Sequence, residues 1–302
     1  MTQTINQFFE NHFGLVMVLC LALGLLSPLP GMLPDYVPPI ILAVMMGFSC
    51  SKIRLADLKA IRIKDVAGFY TLRFMIVPLL GFLFFQTFLP AYTYAVLLIL
   101  LLPMAVSGAA LAAMFGGNAT LALTGTVLTS LIAPFMIPLV FEFAGYEIAL
   151  DTFGMFLTLA GIVFVPALVY FCGIRFFEKP KQWIQTNSSF ASVLLFSIFI
   201  MIVVSRLRDE ILADPVSLIV PGIILLLLYV GIYALGWLVF LRSERSTRIA
   251  YTVFSGMNNI GLGVSLAIMY FPVQEKIYLI ICEFLWVFLL SGFQYFLKKA
   301  KY

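Results

Sequence analysis

The chain has 302 residues, 63% of them hydrophobic and 11% charged, with a mean hydropathy of +1.10 and a formal net charge of +4. A soluble protein of this size has too little interior for so much apolar side chain, so the composition excludes an ordinary globular domain and points to a bilayer as solvent. The basic residues sit in short loops between apolar runs, which argues against nucleic acid as a partner; the dispersed Cys20, Cys50, Cys172 and Cys282, with His12 the one histidine, argue against disulfides and zinc.

At roughly 20 apolar residues per crossing, ten spans are predicted: 13–28, 34–51, 65–88, 92–115, 118–142, 151–177, 187–205, 216–241, 248–271 and 276–297. No Lys or Arg precedes span one, so it lacks the basic start of a signal peptide and counts as a transmembrane helix. With ten spans, one side receives Lys52, Arg54, Lys59, Arg62, Lys64, Arg175, Lys179, Lys181, Arg242, Arg245, Arg248, Lys298, Lys299 and Lys301. The other side receives only Arg206, Arg208 and Lys276. The positive-inside rule then makes both termini cytoplasmic.

Span three carries a single charge in TLRFMIVPLL, that of Arg73. A cation at this depth is expensive in hydrocarbon and calls for a partner. Span four, YAVLLILLLPMAVSGAALAAMF, is interrupted by Pro103 and then by Ser107-Gly108. Span nine, RIAYTVFSGMNNIGLGVSLAIMYF, is interrupted at Ser255-Gly256, with Asn258-Asn259 directly after. Pro removes a backbone donor and Gly weakens a helix, so both spans are expected to break. Ordinary membrane kinks are the alternative, against which buried amides beside the second break speak.

The acidic stretch Glu142 to Asp151 separates five spans from five. An odd number in each half places the halves upside down relative to one another, as in inverted-repeat transporters, and the two breaks are fourth in each half. The fold expected is therefore an all-α polytopic membrane protein, with residues 1–147 as the first repeat and 148–302 as the second. At about 1.5 Å per residue, Arg73 lies about 12 Å and Asn258 about 15 Å from the inner face. Glu283, the one clearly intramembrane acid, lies about 12 Å from the outer face of a core about 30 Å thick. Thr126, Thr129 and Ser130 share a face of span five at similar depth.

The runs VPPIILAVMMGFSCSKIRLADLKAIRIKDV, RFMIVPLLGF, LLPMAVSGAALAAMFGGNATLALTGTVLTSLIAPFMIPL and SGMNNIGLGVSLA resemble the bile acid–sodium symporter family over essentially the whole chain. The resemblance implies a core of spans three to five and eight to ten, in which broken helices four and nine cross. A panel of spans one, two, six and seven packs against it. Members move organic anions, usually with sodium. The resemblance also exposes departures. The family's sodium-binding Ser-Asn pair at the fourth-helix break aligns with Gly108 and Ala109. A serine and a threonine of span five align with Ala122 and Thr126, the shared glutamate of helix nine with Phe254, a nearby glutamine with Asn258, and a glutamine of span three with Arg73.

The function expected is a secondary transporter of a small organic anion by alternating access in a bacterial inner membrane. Arg73 replaces the bound sodium, and no cofactor or obligatory protein partner is implied. The expected binding residues are Arg73, Ser107, Gly108, Thr126, Thr129, Ser255, Asn258 and Asn259. Glu283 is expected to serve as charge partner or proton carrier. Snorkelling of Arg73 to the interface is the competing account of that residue. Sodium-coupled anion symport stays open, as does an intramembrane enzyme, although the layer lacks a nucleophile with its base. A receptor is disfavoured by the short loops, and an arsenite permease by the absence of cysteine in span four.

Overall fold

A computed structural model describes residues 13–51, 63–105, 107–145 and 151–299. Lys52, Arg54, Lys59, Arg62, Lys301, His12 and residues 146–150 of the acidic midpoint stretch lie outside the described residues. Among the described residues the regular structure is helical, with a single isolated bridge pair. In a bilayer this is the expected economy, because a helix satisfies its backbone within one segment.

In chain order the helices are α1 (Phe13–Leu26), α2 (Val37–Cys50), α3 (Ile63–Thr71), α4 (Val77–Phe88), α5 (Thr93–Leu101), α6 (Gly108–Met114) and α7 (Ala119–Phe143). They continue with α8 (Thr152–Cys172), α9 (Glu178–Arg206), α10 (Arg208–Ala213), α11 (Ile219–Val239), α12 (Arg245–Gly256), α13 (Ile260–Tyr270) and α14 (Val273–Lys299). A π-helical turn, Leu72–Ile76, joins α3 to α4 without a gap. Each of the ten apolar segments carries helix. Among the described residues, five stretches are long and apolar enough to cross a membrane, and a sixth, Glu178–Ser188 with Phe190–Arg206, qualifies if its 62° bend is counted within one span. The chain is an integral membrane protein with several spans.

The described helices divide into two compact units. The first contains α1, α2, α8 from Leu157 onward, α9 and α10. Here α9 is the centre, packed by α1 and α2. Gly24 permits the approach of α1, since a Cβ there would lie 2.7 Å from the Met201 carbonyl oxygen. The end of α9 is then tied down. Ser205 Oγ donates to the Ser27 carbonyl at 2.6 Å and accepts from Gly31 N–H at 2.9 Å. Arg206 pairs with Asp35, and Arg208 Nε donates to the Leu25 carbonyl at 3.1 Å.

The second unit contains α3 to α7, the start of α8, and α11 to α14. In it α12 packs between α11 and α7, while α14 packs on α11 and α13. α5 and α13 are buried along almost their whole length, which explains why both read as apolar on every face. This unit holds the interrupted helices.

Candidate functional site

The two interruptions form one junction, and its backbone hydrogen bonds can be followed group by group. Helix α5 stops at Leu101 because Pro103 has no N–H to give to the Ile99 carbonyl. That carbonyl, left with only a long 3.4 Å bond from Leu102 N–H, receives Asn258 Nδ2 at 2.6 Å. Leu102 turns extended (φ −57°, ψ 135°), so Met104 N–H loses the Leu100 carbonyl and donates instead to Thr129 Oγ1 of α7 at 3.0 Å. Ala105 N–H donates to the Met257 carbonyl at 2.7 Å.

The other chain answers in kind. Helix α12 ends at Gly256, and Asn259 N–H, freed from the Ser255 carbonyl, donates to the Pro103 carbonyl at 2.7 Å. The two extended segments thus pair as an antiparallel bridge between Met104 and Asn258. Irregular backbone in the interior of the unit is affordable only when every group is met this way.

At the C-terminal end of each interrupted helix one freed carbonyl is met by a side chain from α3–α4. Arg73 takes both. Its Nη1 donates to the Leu100 carbonyl of α5 at 2.9 Å and its Nε to the Ser255 carbonyl of α12 at 2.8 Å. Nη2 donates to Asn258 Oδ1 at 3.2 Å, and the guanidinium carbon stands 4.7 Å from the Phe74 ring centroid. Arg73 is 0% exposed, so it does not snorkel to the interface. A cation at the negative ends of two helix dipoles is also electrostatically well placed.

The π-turn carries Arg73 to this spot. Pro78 cannot donate to the Phe74 carbonyl four residues back, and the chain accommodates by an i→i−5 bond from Val77 N–H to the Leu72 carbonyl. The π-turn was not foreseen from sequence, although Pro78 is its visible signal.

The remaining residues named from sequence divide by what they do. Thr129 and Asn258 join Arg73 in holding the junction. Ser255 contributes its carbonyl there, while its hydroxyl donates to the Ile232 carbonyl of α11 at 2.6 Å. Thr126 Oγ1 donates only to Ala122 of its own helix, at 3.1 Å. Gly108 is buried against Met104, whose Cε lies 2.4 Å from where a Cβ would stand. Asn259 is half-buried and caps α13 by accepting Leu262 N–H at 3.2 Å; Ser107, before α6, is exposed. Glu283 is buried but is not among the partners of Arg73.

A model of the sodium bile acid symporter family matches residues 39–215, more than half of the chain. The chain belongs to that family. As a sodium bile acid symporter family protein, it is a membrane transporter. A Bacillus subtilis (strain 168) protein described as "Uncharacterized protein YbaS" is 24% identical over 209 residues, spanning 67% of each chain.

Against this family's pattern the surroundings of Phe254 are informative. The resemblance puts the glutamate shared by both sodium sites at this position. Phe254 is wholly buried, with ring centroids of Phe69 and Phe74 each 5.6 Å away. Gly125 of α7 lies flat beneath it, for a Cβ there would come within 2.8 Å of the ring. An aromatic cluster fills the place where a carboxylate is expected. Among the described residues, no group of three or more His, Cys, Asp or Glu side chains converges as for a metal ion. Tyr229 and Tyr233 of α11 escaped the sequence reading. Their signal was two hydroxyl-bearing rings one turn apart in an otherwise apolar span.

Proposed function

We propose that this protein is a secondary transporter of a small organic anion that works without sodium, the Arg73 guanidinium standing permanently in the role of the bound cation. The observation that carries the reading is that one fixed positive charge meets the C-terminal carbonyls of both interrupted helices. Sodium needs several oxygen ligands at one point. Here the carbonyls of Leu100 and Ser255 and the amide of Asn258 are taken, Thr126 bonds within its own helix, and Phe254 offers carbon. A sodium ion about 4 Å from a guanidinium would also meet repulsion of about 4 kcal/mol at an effective dielectric of 20. Arginine keeps its charge inside proteins, so the replacement is permanent.

In this reading the ten helical segments cross in two inverted halves, with both termini in the cytoplasm of a bacterial cell. Spans three to five and eight to ten form the core, and spans one, two, six and seven the panel. The division of the helices into two compact units supports this grouping. Alternating access is movement of one against the other around the crossing. Ser107 and Asn259, the least buried of the polar side chains beside the crossing, are the direct contacts for the anion. Arg73, Thr129, Ser255 and Asn258 supply charge and geometry behind them, and Gly108 and Thr126 shape the wall.

A thermal-shift panel of carboxylates on the purified protein identifies a substrate, whose uptake is then followed in proteoliposomes. Replacing sodium by choline on both sides is expected to leave uptake nearly unchanged. A steep sodium dependence would overturn the reading in favour of sodium symport.

A further inference from the structure

The junction leaves one carboxyl group unexplained. Glu283 lies in the middle of α14, is 6% exposed, and has its Oε2 sealed from solvent without a hydrogen-bond partner. It forms no ion pair among the described residues.

α14 packs chiefly on α11, α13 and α5, and Arg245 of α12 donates to the Leu297 carbonyl near its C-terminal end. From α11 come Tyr229 and Tyr233, both buried; the Tyr233 hydroxyl lacks a hydrogen-bond partner, and the Tyr229 hydroxyl lies beside the Cys282 thiol of α14. Tyr229 is within electrostatic reach of Glu283, Cys282, Tyr233 and Arg73. α13 brings only Tyr270, its last residue, and α5 only Tyr94, in its first turn. Among the described residues no cation pairs with Glu283, and Arg73 has turned its donors to carbonyls and Asn258.

An ionised carboxylate in this place would be buried without an ion-pair partner among the described residues, which burial penalises heavily. A carboxyl bearing a proton is neutral and needs only one acceptor for its O–H. The Tyr229 hydroxyl, beside the Cys282 thiol and within electrostatic reach of Glu283, can both accept and donate. We propose that Glu283 is a proton-binding site of this transporter, with Tyr229 as the hydrogen-bond partner of its protonated form. The inference rests on the crossing being the anion site, and gives that site a driving ion.

A proton from water adds to a carboxylate oxygen and leaves Arg73 as the uncompensated charge of the region, which favours an anion. Loss of that proton restores a carboxylate, whose field opposes the anion. Proton and substrate then promote each other's binding, and the coupling is reciprocal.

The test is infrared difference spectroscopy on the purified full-length protein without substrate, reading the C=O stretch of protonated carboxyl groups. The wild type is expected to show a band that declines reversibly as pH is raised, that vanishes in Glu283→Gln, and that shifts in frequency in Tyr229→Phe. Absence of the band in the wild type, or its survival in Glu283→Gln, overturns the proposal. Should Glu283→Gln not fold, Tyr229→Phe decides, since an unshifted band removes the partner and with it the assignment. Because no substrate is present, this outcome is independent of the sodium-replacement experiment.

Discussion

Arg73 concentrates the chemistry of the junction in one side chain. Removing it leaves the Leu100 and Ser255 carbonyls and the Asn258 oxygen without their donors in a dry interior. At about 1–3 kcal/mol for each buried group left unmet, Arg73→Gln is expected to lose about 3 kcal/mol or more, even with partial replacement by the new amide. Lys179→Gln, at an exposed position, is expected to change stability by less than about 0.5 kcal/mol. Thermal unfolding in detergent compares the two, and equal small effects would show that the guanidinium does not hold the junction. Arg73→Gln also introduces the side chain that the resemblance aligns with this position, yet it is not expected to create sodium dependence. Phe254, Gly108, Ala109 and Ala122 still offer no side-chain oxygen, and sodium titration of the variant's unfolding temperature checks this.

At the scale of elements, the interrupted helices persist because other helices meet their freed groups. α7 does so with Thr129, and the neighbouring Thr126 provides an internal control. Thr129→Val deprives Met104 N–H of its acceptor and is expected to destabilise by about 1–3 kcal/mol. Thr126→Val removes a hydroxyl that bonds only within its own helix, and is expected to cost under about 1 kcal/mol. Similar losses in both, measured by thermal unfolding, would mean that the Met104 bond contributes nothing. Gly125 makes a second test of the same contact surface. Gly125→Ala drives a methyl into the Phe254 ring and is expected to cost about 1–3 kcal/mol by overpacking, despite its gain in helix propensity. A stabilised Gly125→Ala variant would show that the ring can yield.

For the whole molecule, the division into two units gives the proposed transport its mechanical form, and the proposed sodium independence gives it a thermodynamic signature. A ligand that binds only the folded state raises apparent stability, by about 2.7 kcal/mol at 100 times its dissociation constant. A transported carboxylate is therefore expected to raise the unfolding temperature equally in sodium and in choline. Stabilisation that appears only in sodium would contradict the fixed-cation account.

How much could be read before folding follows from the range of each interaction. The ends of α5 and α12 were legible because they follow from local chemistry, Pro103 lacking an N–H and Ser255-Gly256 weakening the helix. Arg73 announced itself for the same reason, as one charge within an apolar run. Its partners were legible only in kind, as Asn258 beside the second break and backbone carbonyls of the broken segments, but not which carbonyls. Leu100 and Ser255 act through carbonyls, which every residue possesses, so nothing in side-chain identity marks them. The acidic residue that looked like the natural counter-charge, Glu283, lies apart from the Arg73 bonds, and the guanidinium was met by helix ends instead. The pairing of Met104 with Asn258, the turn of Phe254 onto Gly125 and the nearness of Tyr229 to Glu283 join residues more than 50 positions apart in the chain. Composition and local breaks made this an all-helical membrane protein with two interrupted helices; only packing decided which groups those interruptions would find.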